Sequence, residues 1–249
     1  MQGAVATFVC LAVAPPACAD WTIGGFLGGA HTHTTSLRLI QPLEATDISL
    51  SPVSYRSKSL TPPLYYAYRF GFFPRSRWFG IEGELIHLKV HADTTRTTQI
   101  SGVLRGQPSQ GSVPMSSVIE DFSISHGVNL VLINAVARRG VGVDQSGEPR
   151  WTLTGRFGAG TSRPHPESTI GGRRFEGYEW GSPSVQIAAG VEMRVIGTVI
   201  GPVSLVGEYK LTRTVQEVTI LDGTARTPLT THHFVGGAAL RLGSPRRAP

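Results

Sequence analysis

Alternation of apolar and polar residues constrains this chain more than any other feature. In "VSLVGEYKLT", Val203, Leu205, Tyr209 and Leu211 share one phase, and Ser204, Glu208, Lys210 and Thr212 share the other. In "SVQIAAGVEMRV", Val185, Ile187, Val191, Met193 and Val195 oppose Ser184, Gln186, Glu192 and Arg194. "WTLTGRFGAG" sets Trp151, Leu153 and Phe157 against Thr152, Thr154 and Arg156, and "LYYAYRFGFF" sets Tyr66, Tyr68, Phe70 and Phe72 against Ala67, Arg69 and Gly71. A side-chain period of two belongs to β-strands. A soluble sandwich and a membrane barrel both show it, and they differ in which face turns inward. Here the second phase is rich in ions: Arg69, Glu82, Glu84, Arg156, Glu192, Arg194, Glu208, Lys210 and Arg241.

Eight such segments begin near Trp21, Leu64, Trp78, Ser123, Trp151, Ser184, Val203 and Thr230. The fourth is read as one apolar strand running from Phe122 to Arg139. Long connections after Leu37, Ala92, Thr161 and Arg213 alternate with short ones at 74–77 and 196–202, with 138–150 intermediate. Membrane barrels alternate in this way, short turns inside and long loops outside. Lipid offers no partner to an open sheet edge, so spanning strands must close. The expected fold is therefore all-β: an eight-stranded antiparallel up-and-down transmembrane β-barrel. Eight strands enclose side chains rather than a pore, so the acids and arginines should pair inside. Trp21, Trp78 and Trp151 all open odd-numbered strands, as a periplasmic aromatic girdle would.

The 249 residues, 40% apolar and only 16% charged, suit one such domain. Residues 1–19, "MQGAVATFVCLAVAPPACA", read as a signal peptide with an apolar core and a small-residue cleavage site, although no Lys or Arg precedes the core. Residues 20–243 are the barrel and 244–249 a C-terminal tail. Cleavage after Ala19 would remove both cysteines, so no Cys-ligated metal is expected. No other stretch has about 18 consecutive apolar residues, which excludes a spanning helix. The expected location is the outer membrane of a Gram-negative bacterium, with a soluble periplasmic sandwich as the rival.

All eight histidines then fall at the long-loop, extracellular end. His31, His33, His91 and His233 read best as surface loop residues. His87, His126 and His165, with Glu167 nearby, read as candidate metal ligands or proton carriers. Glu84, Glu176, Glu179 and Glu208 are placed at the same rim.

The ordered segments "PPLYYAYRFGFF", "WFGIEGELIHLKVHA", "FSISHGVNLVLINAVARR", "GAGTSRPHPES", "FEGYEWGSPSVQIAAGVEMRV" and "VSLVGEYKLT" resemble the lipid A oxidase-like outer-membrane β-barrels. The resemblance runs from about Trp21 to Leu242. It implies the eight-stranded barrel and the oxygen-dependent conversion of the proximal glucosamine of lipid A to an aminogluconate. Glu84, His87 and Lys89 match an E-x-x-H-x-K segment, and His126 and Asn129 match an HGVN segment. His165 and Glu167 match a PHVE-like segment with Pro166 in place of Val, and Tyr178, Gln186, Glu208 and Lys210 fall in the closing motifs. The roles expected are catalytic for His126, Glu208, Lys210 and Glu84, substrate-binding for Asn129, Tyr178, Gln186 and Lys89, and metal-ligating for His87, His126, His165 and Glu167. A departure is the last strand, which ends near Leu242 and a "GSPRRAP" tail instead of the aromatic residue that the barrel assembly machinery reads.

The glycines lie in strands without a βαβ unit, so no flavin or nicotinamide site is expected; the cofactor would be a divalent metal of unknown identity, with molecular oxygen as oxidant. Expected partners are lipid A or lipopolysaccharide, drawn by loop residues Arg96, Arg105, Arg163, Arg173, Arg174 and Arg226, together with the outer membrane and the assembly machinery, and no nucleic acid. A lipid A 3-O-deacylase is disfavoured. Its His-x-Ser-Asn segment aligns with His126-Gly127-Val128-Asn129, valine is no nucleophile, and Ser125 on a strand would face away from His126. Glu84 and His87 are out of phase, so they share a face only if a bulge intervenes; otherwise His87 projects outward. The alternative function is a non-catalytic structural or surface-interaction barrel.

Overall fold

The computed structural model describes residues 19–74, 78–143 and 149–242. The proposed signal peptide, apart from Ala19, and the tail lie outside these residues. In chain order the strands are β1 (Asp20–Thr32), β2 (Thr35–Gln41), β3 (Thr46–Val53), β4 (Tyr55–Arg56), β5 (Tyr66–Phe73), β6 (Phe79–His87), β7 (Val90–Ala92), β8 (Thr97–Leu104) and β9 (Gln107–Pro114). They continue with β10 (Asp121–Ile124), β11 (Leu130–Val143), β12 (Pro149–Ser162), β13 (Pro166–Ile170), β14 (Arg173–Glu176), β15 (Pro183–Thr198), β16 (Gly201–Ile220) and β17 (Gly223–Leu242).

Eight of them form the barrel in the order β1-β5-β6-β11-β12-β15-β16-β17, every pair antiparallel. The sheet closes because β17 returns to β1 in continuous register from Trp21↔Leu242 to Thr32↔Thr231. The alternation seen in the sequence becomes two surfaces. Ile23, Phe70, Ile81, Ile133, Leu153, Phe157, Ile187, Leu205 and Phe234 are exposed on the outer wall. Arg69, Glu82, Glu84, Asn134, Arg156, Gln186, Glu208 and Lys210 are buried inside. An apolar exterior around an ionic interior, with every strand edge paired, is the arrangement that bilayers demand and water does not. The protein is an outer-membrane β-barrel. Trp21, Trp78 and Trp151 all lie at the short-connection end, where Trp21 stacks on Phe70 at 5.1 Å between ring centres.

The lumen is filled by an ion network. Arg69 donates to Glu84 at 2.9 Å and to Glu208 at 2.6 Å. Arg156 bridges Glu82 at 2.7 Å and Glu208. Lys210 bonds Glu84 and lies 3.2 Å from Glu208. Asn134 and Gln186 give their amides to Glu84 at 2.8 and 2.5 Å. Such a layer requires small neighbours: a Cβ on Gly158 would lie 2.0 Å from Asn134 Oδ1.

Two expectations fail at the other end of the barrel. The long connections are not irregular loops. β2, β3, β8 and β9 extend the barrel sheet from the tip of β17, through Thr224↔Ile40 and Arg226↔Arg38. β14, β13, β10, β7 and β4 form a second sheet. The segment after Arg213 is simply the outward continuation of the β16–β17 hairpin, paired as far as Ile220↔Gly223. Leu37, Leu39, Ile48, Leu50, Ile100, Met115, Phe122, Ile124, Val218 and Leu229 pack together as the apolar core of this cap. Two sheets burying their apolar faces against each other are a stable layer pair in their own right.

The second failure is the single strand over Phe122–Arg139. The chain leaves β10 at Ile124, turns through 125–129 and enters the barrel wall only at Leu130. Gly127 has φ +103° and Asn129 φ +48°, values that interrupt a strand and that Gly and Asn tolerate best.

Candidate functional site

The turn between β10 and β11 organises a cluster at the barrel rim. Asn129 is its hub. Its amide nitrogen donates to the carbonyls of His126, Gly127 and Arg163 at 3.1–3.2 Å, and its Oδ1 meets His87 Nδ1 at 2.8 Å. A Cβ on Gly127 would lie 2.4 Å from His87 Nδ1, so only glycine lets the turn close over that ring. The backbone of His165 donates to Gly127 O at 3.2 Å, which docks the 163–165 segment onto the same turn. His126 and His165 thereby come within 4.6 Å, ring to ring.

Glu167 arrives from the cap. Ser123 of β10 pairs with Glu167 of β13 and with His91 of β7, and Glu167 pairs in turn with Glu176 of β14. Paired residues point to one side of a sheet, so this row presents its polar groups together. Glu167 Oε1 is 3.0 Å from His126 Nδ1, 3.6 Å from His165 Nδ1, and hydrogen-bonded by the Ser125 hydroxyl. Its other oxygen accepts from Arg174 at 3.0 Å. Burial alone would raise the Glu167 pKa, but the Ser125 hydroxyl, His126 and the Arg174 charge outweigh it and hold the carboxyl below its ordinary value.

One donor atom each from His126, His165 and Glu167 all lie within 4.8 Å of one another. His165 Nδ1 is buried and makes no hydrogen bond. Two imidazoles and one carboxylate with an unsatisfied buried nitrogen fit a divalent transition ion. Arg174 and Ser125 hold the carboxylate as outer-shell groups do. Tyr178 abuts His165 at 4.3 Å and, with Trp180, is exposed beside Arg163, whose guanidinium lies 5.5 and 5.7 Å from the two rings.

The other expected site residues lie elsewhere. Glu84, Glu208, Lys210 and Gln186 belong to the lumen network, so Glu84 and Glu208 are not at the rim. No bulge interrupts β6, whose pairing with β5 runs unbroken to Tyr66↔His87. His87 therefore lies on the outer phase of β6, yet it is buried beneath the 126–129 turn, bonded to Asn129 and stacked on Tyr66 at 4.7 Å, and it is not one of the three converging groups. Lys89 donates to Thr61 O at 2.6 Å. His233 is fully buried, between Tyr65 at 3.1 Å and Thr212 at 2.8 Å, and is not a loop residue. His91 is half-buried with an unpartnered Nε2. Four of the loop arginines, Arg96, Arg173, Arg174 and Arg226, each have a carboxylate within 4.0 Å, so much of their charge is answered within the cap.

Ser125 corrects the strand-based reading. It lies in the turn, and its hydroxyl is 3.0 Å from His126 Nδ1. The arrangement is still not a nucleophile relay. Serine and glutamate meet the same ring nitrogen, whereas a relay needs one partner on each. Nothing in the sequence tied Arg174 or Ser125 to Glu167; the second-sheet ladder brings Arg174 there, and the turn after β10 brings Ser125.

No family model and no curated protein matches the sequence. Among solved structures, the chain is similar to Neisserial surface protein A at 12% identity, over 89% of this chain and 97% of that one, with a TM-score of 0.36. It is similar to the outer-membrane protein AlkL at 8% identity over the whole of both chains, with a TM-score of 0.37. The attachment invasion locus protein Ail of Yersinia pestis matches at 12% identity, over 90% and 97% of the two chains, with a TM-score of 0.34. The strand ladder and the two surfaces of the barrel wall, not these likenesses, carry the assignment of the fold.

Proposed function

We propose that this barrel is a lipid A oxidase acting at its outer rim, with a divalent metal held by His126, His165 and Glu167. One observation carries the reading: these three side chains, from two separate connections, converge with a buried nitrogen left unsatisfied. When bound, the metal supplies a centre at which dioxygen and a sugar hydroxyl meet. The reaction removes one hydrogen from C1 of the glucosamine ring and one from its hydroxyl, two electrons and two protons in all; dioxygen takes them up as hydrogen peroxide, and water opens the resulting lactone to the acid. Glu167, held anionic, would balance the charge of the ion, and the exposed His126 ring hydrogen-bonded to it would carry protons between the site and the surface. Tyr178 and Trp180 offer flat faces of the kind on which sugars stack, and Arg163 beside them suits an anionic glycolipid.

The test is mass spectrometry of lipid A from aerated cells expressing the chain. A gain of one oxygen on the proximal sugar, absent with His126→Ala, is expected; an unmodified sugar with the wild-type chain defeats the oxidase reading. The non-catalytic alternative has one observation in its favour, the two-sheet cap with its internally paired arginines, and it predicts unmodified lipid A in both strains.

A further inference from the structure

The barrel closes where β17 returns to β1, and three histidines gather on the outer face at the long-connection end of that seam. His31 of β1 stands directly opposite His232 of β17. His33 lies just past β1, its backbone N–H donating to Thr230 O at 2.9 Å, so the pairing continues to its position. His31 and His33 are exposed and His232 is half-buried. The rings of His31 and His33 are 6.0 Å apart, and those of His33 and His232 are 4.6 Å apart. The Nε2 atoms of His33 and His232 are in direct hydrogen-bonding contact. On the far side of the His232 ring, Nδ1 lies 2.5 Å from the Tyr209 hydroxyl. This group is remote from the rim site, since β5 and β6 separate β1 from β11 in the sheet.

We propose that His33 and His232, with His31 beside them, form a second metal site that takes zinc, copper(II) or nickel(II) and pins the closing seam at its outer end. Two imidazole nitrogens aimed at each other share one proton, and that proton is what a cation replaces. Tyr209 makes the exchange cheap. A phenol both donates and accepts, so His232 keeps its Nδ1 partner in either tautomer. In the metal-competent tautomer Nδ1–H donates to Tyr209 and the Nε2 lone pair faces His33, as in sites whose outer shell fixes the ligand ring. The donor set is all imidazole, which selects borderline transition ions over magnesium and calcium. The two principal ligands lie 199 residues apart in sequence and meet only across the seam. An ion bound there stabilises the closed barrel and not the unfolded chain.

The experiment uses the full chain refolded in detergent, with His126→Ala and His165→Ala introduced to disable the rim site, and titrates copper(II) and zinc separately. The expected copper(II) EPR spectrum shows coupling to imidazole nitrogen, and zinc raises the unfolding midpoint. His33→Ala, which sits outside β1 and leaves barrel closure intact, removes both effects. Tyr209→Phe weakens copper binding by about tenfold or more, the usual consequence of losing an outer-shell partner. Absence of nitrogen-coupled copper in the rim-disabled barrel overturns the proposal, and so does a His33→Ala spectrum identical to its parent. Heat-modifiable gel migration verifies closure of each variant, so a folding defect is not mistaken for lost ligation. The result is independent of whether lipid A is oxidised.

Discussion

Replacing Glu84 by glutamine decides whether the lumen ions are the barrel's polar core or part of its chemistry. The Glu84 side chain has no solvent exposure. It accepts from Arg69 at 2.9 Å, Asn134 at 2.8 Å and Gln186 at 2.5 Å, and from the Lys210 ammonium. Glutamine keeps one acceptor oxygen and turns an NH2 toward two of those donors. It also deletes one of the three carboxylates, Glu82, Glu84 and Glu208, that balance Arg69, Arg156 and Lys210. Removing one partner from a buried ion pair costs about 3–5 kcal/mol, a large share of the roughly 5–15 kcal/mol that holds a typical domain folded. The assay is urea unfolding of the refolded barrel, followed by tryptophan fluorescence and heat-modifiable migration. Adding Lys210→Met restores neutrality, so the double variant should recover about 0.5–3 kcal/mol relative to the sum of the single changes. Loss in the single variant of less than about 1 kcal/mol, the net worth of one ordinary hydrogen bond, would refute the reasoning. Strict additivity in the double variant would refute it equally. A fully folded double variant that no longer modifies lipid A returns Glu84 or Lys210 to the chemistry.

Three further outcomes are expected. Burial, with Lys58 and Lys89 nearby and Glu167 opposing, pushes His91 down from 6.5 to about 4, so the unfolded chain takes its proton first; cap stability present above pH 6.5 is lost as the pH falls toward about 4. His91→Asn flattens that slope, and an imidazole NMR titration near 6.5 in the folded protein contradicts it. Glu167 is lowered as well, so its contribution is complete above the ordinary carboxylate range and disappears as the pH drops through its depressed value; Glu167→Gln removes this acid sensitivity from hydrogen exchange in β13. Gly127→Ala forces a Cβ against His87 and Asn129 at φ +103°, at a cost of about 1–3 kcal/mol confined to the turn. Its copper or zinc affinity at the rim falls while the barrel's gel migration is unchanged; unaltered rim affinity shows that the turn does not position His126.

The barrel was legible in the sequence because its wall obeys a local rule. Every second residue faces lipid, so Leu205, Tyr209 and Phe157 declare the outside and Glu208, Lys210 and Arg156 the inside without knowledge of any partner strand. The alternation also fixed the phase problem at His87: with no bulge, an odd-numbered residue on β6 had to take the outer phase, and it does. His126, His165 and Glu167 were each visible as candidate site residues, yet so were Glu84, Glu208 and Lys210, and chain position did not separate the two groups.

Tertiary structure separated them. Glu167 reaches His126 across 41 residues of sequence because β10 and β13 pair in one register, and shifting that register by one residue would turn Glu167 to the opposite face. The five strands of the second sheet have only two to five residues, too brief for a period to be read, while β2, β3, β8 and β9, of seven or eight residues, lie inside connections whose length reads as loop. The break at Gly127 and Asn129 was overridden because strand formers on both sides extend the alternation through it, although Gly and Asn are the residues that tolerate the positive φ angles found there. Seam closure joined His33 to His232 in the same way. Local periodicity determines which face of a strand is wet; which polar groups meet there depends on pairings between distant segments, whose free energy is not written in either segment alone.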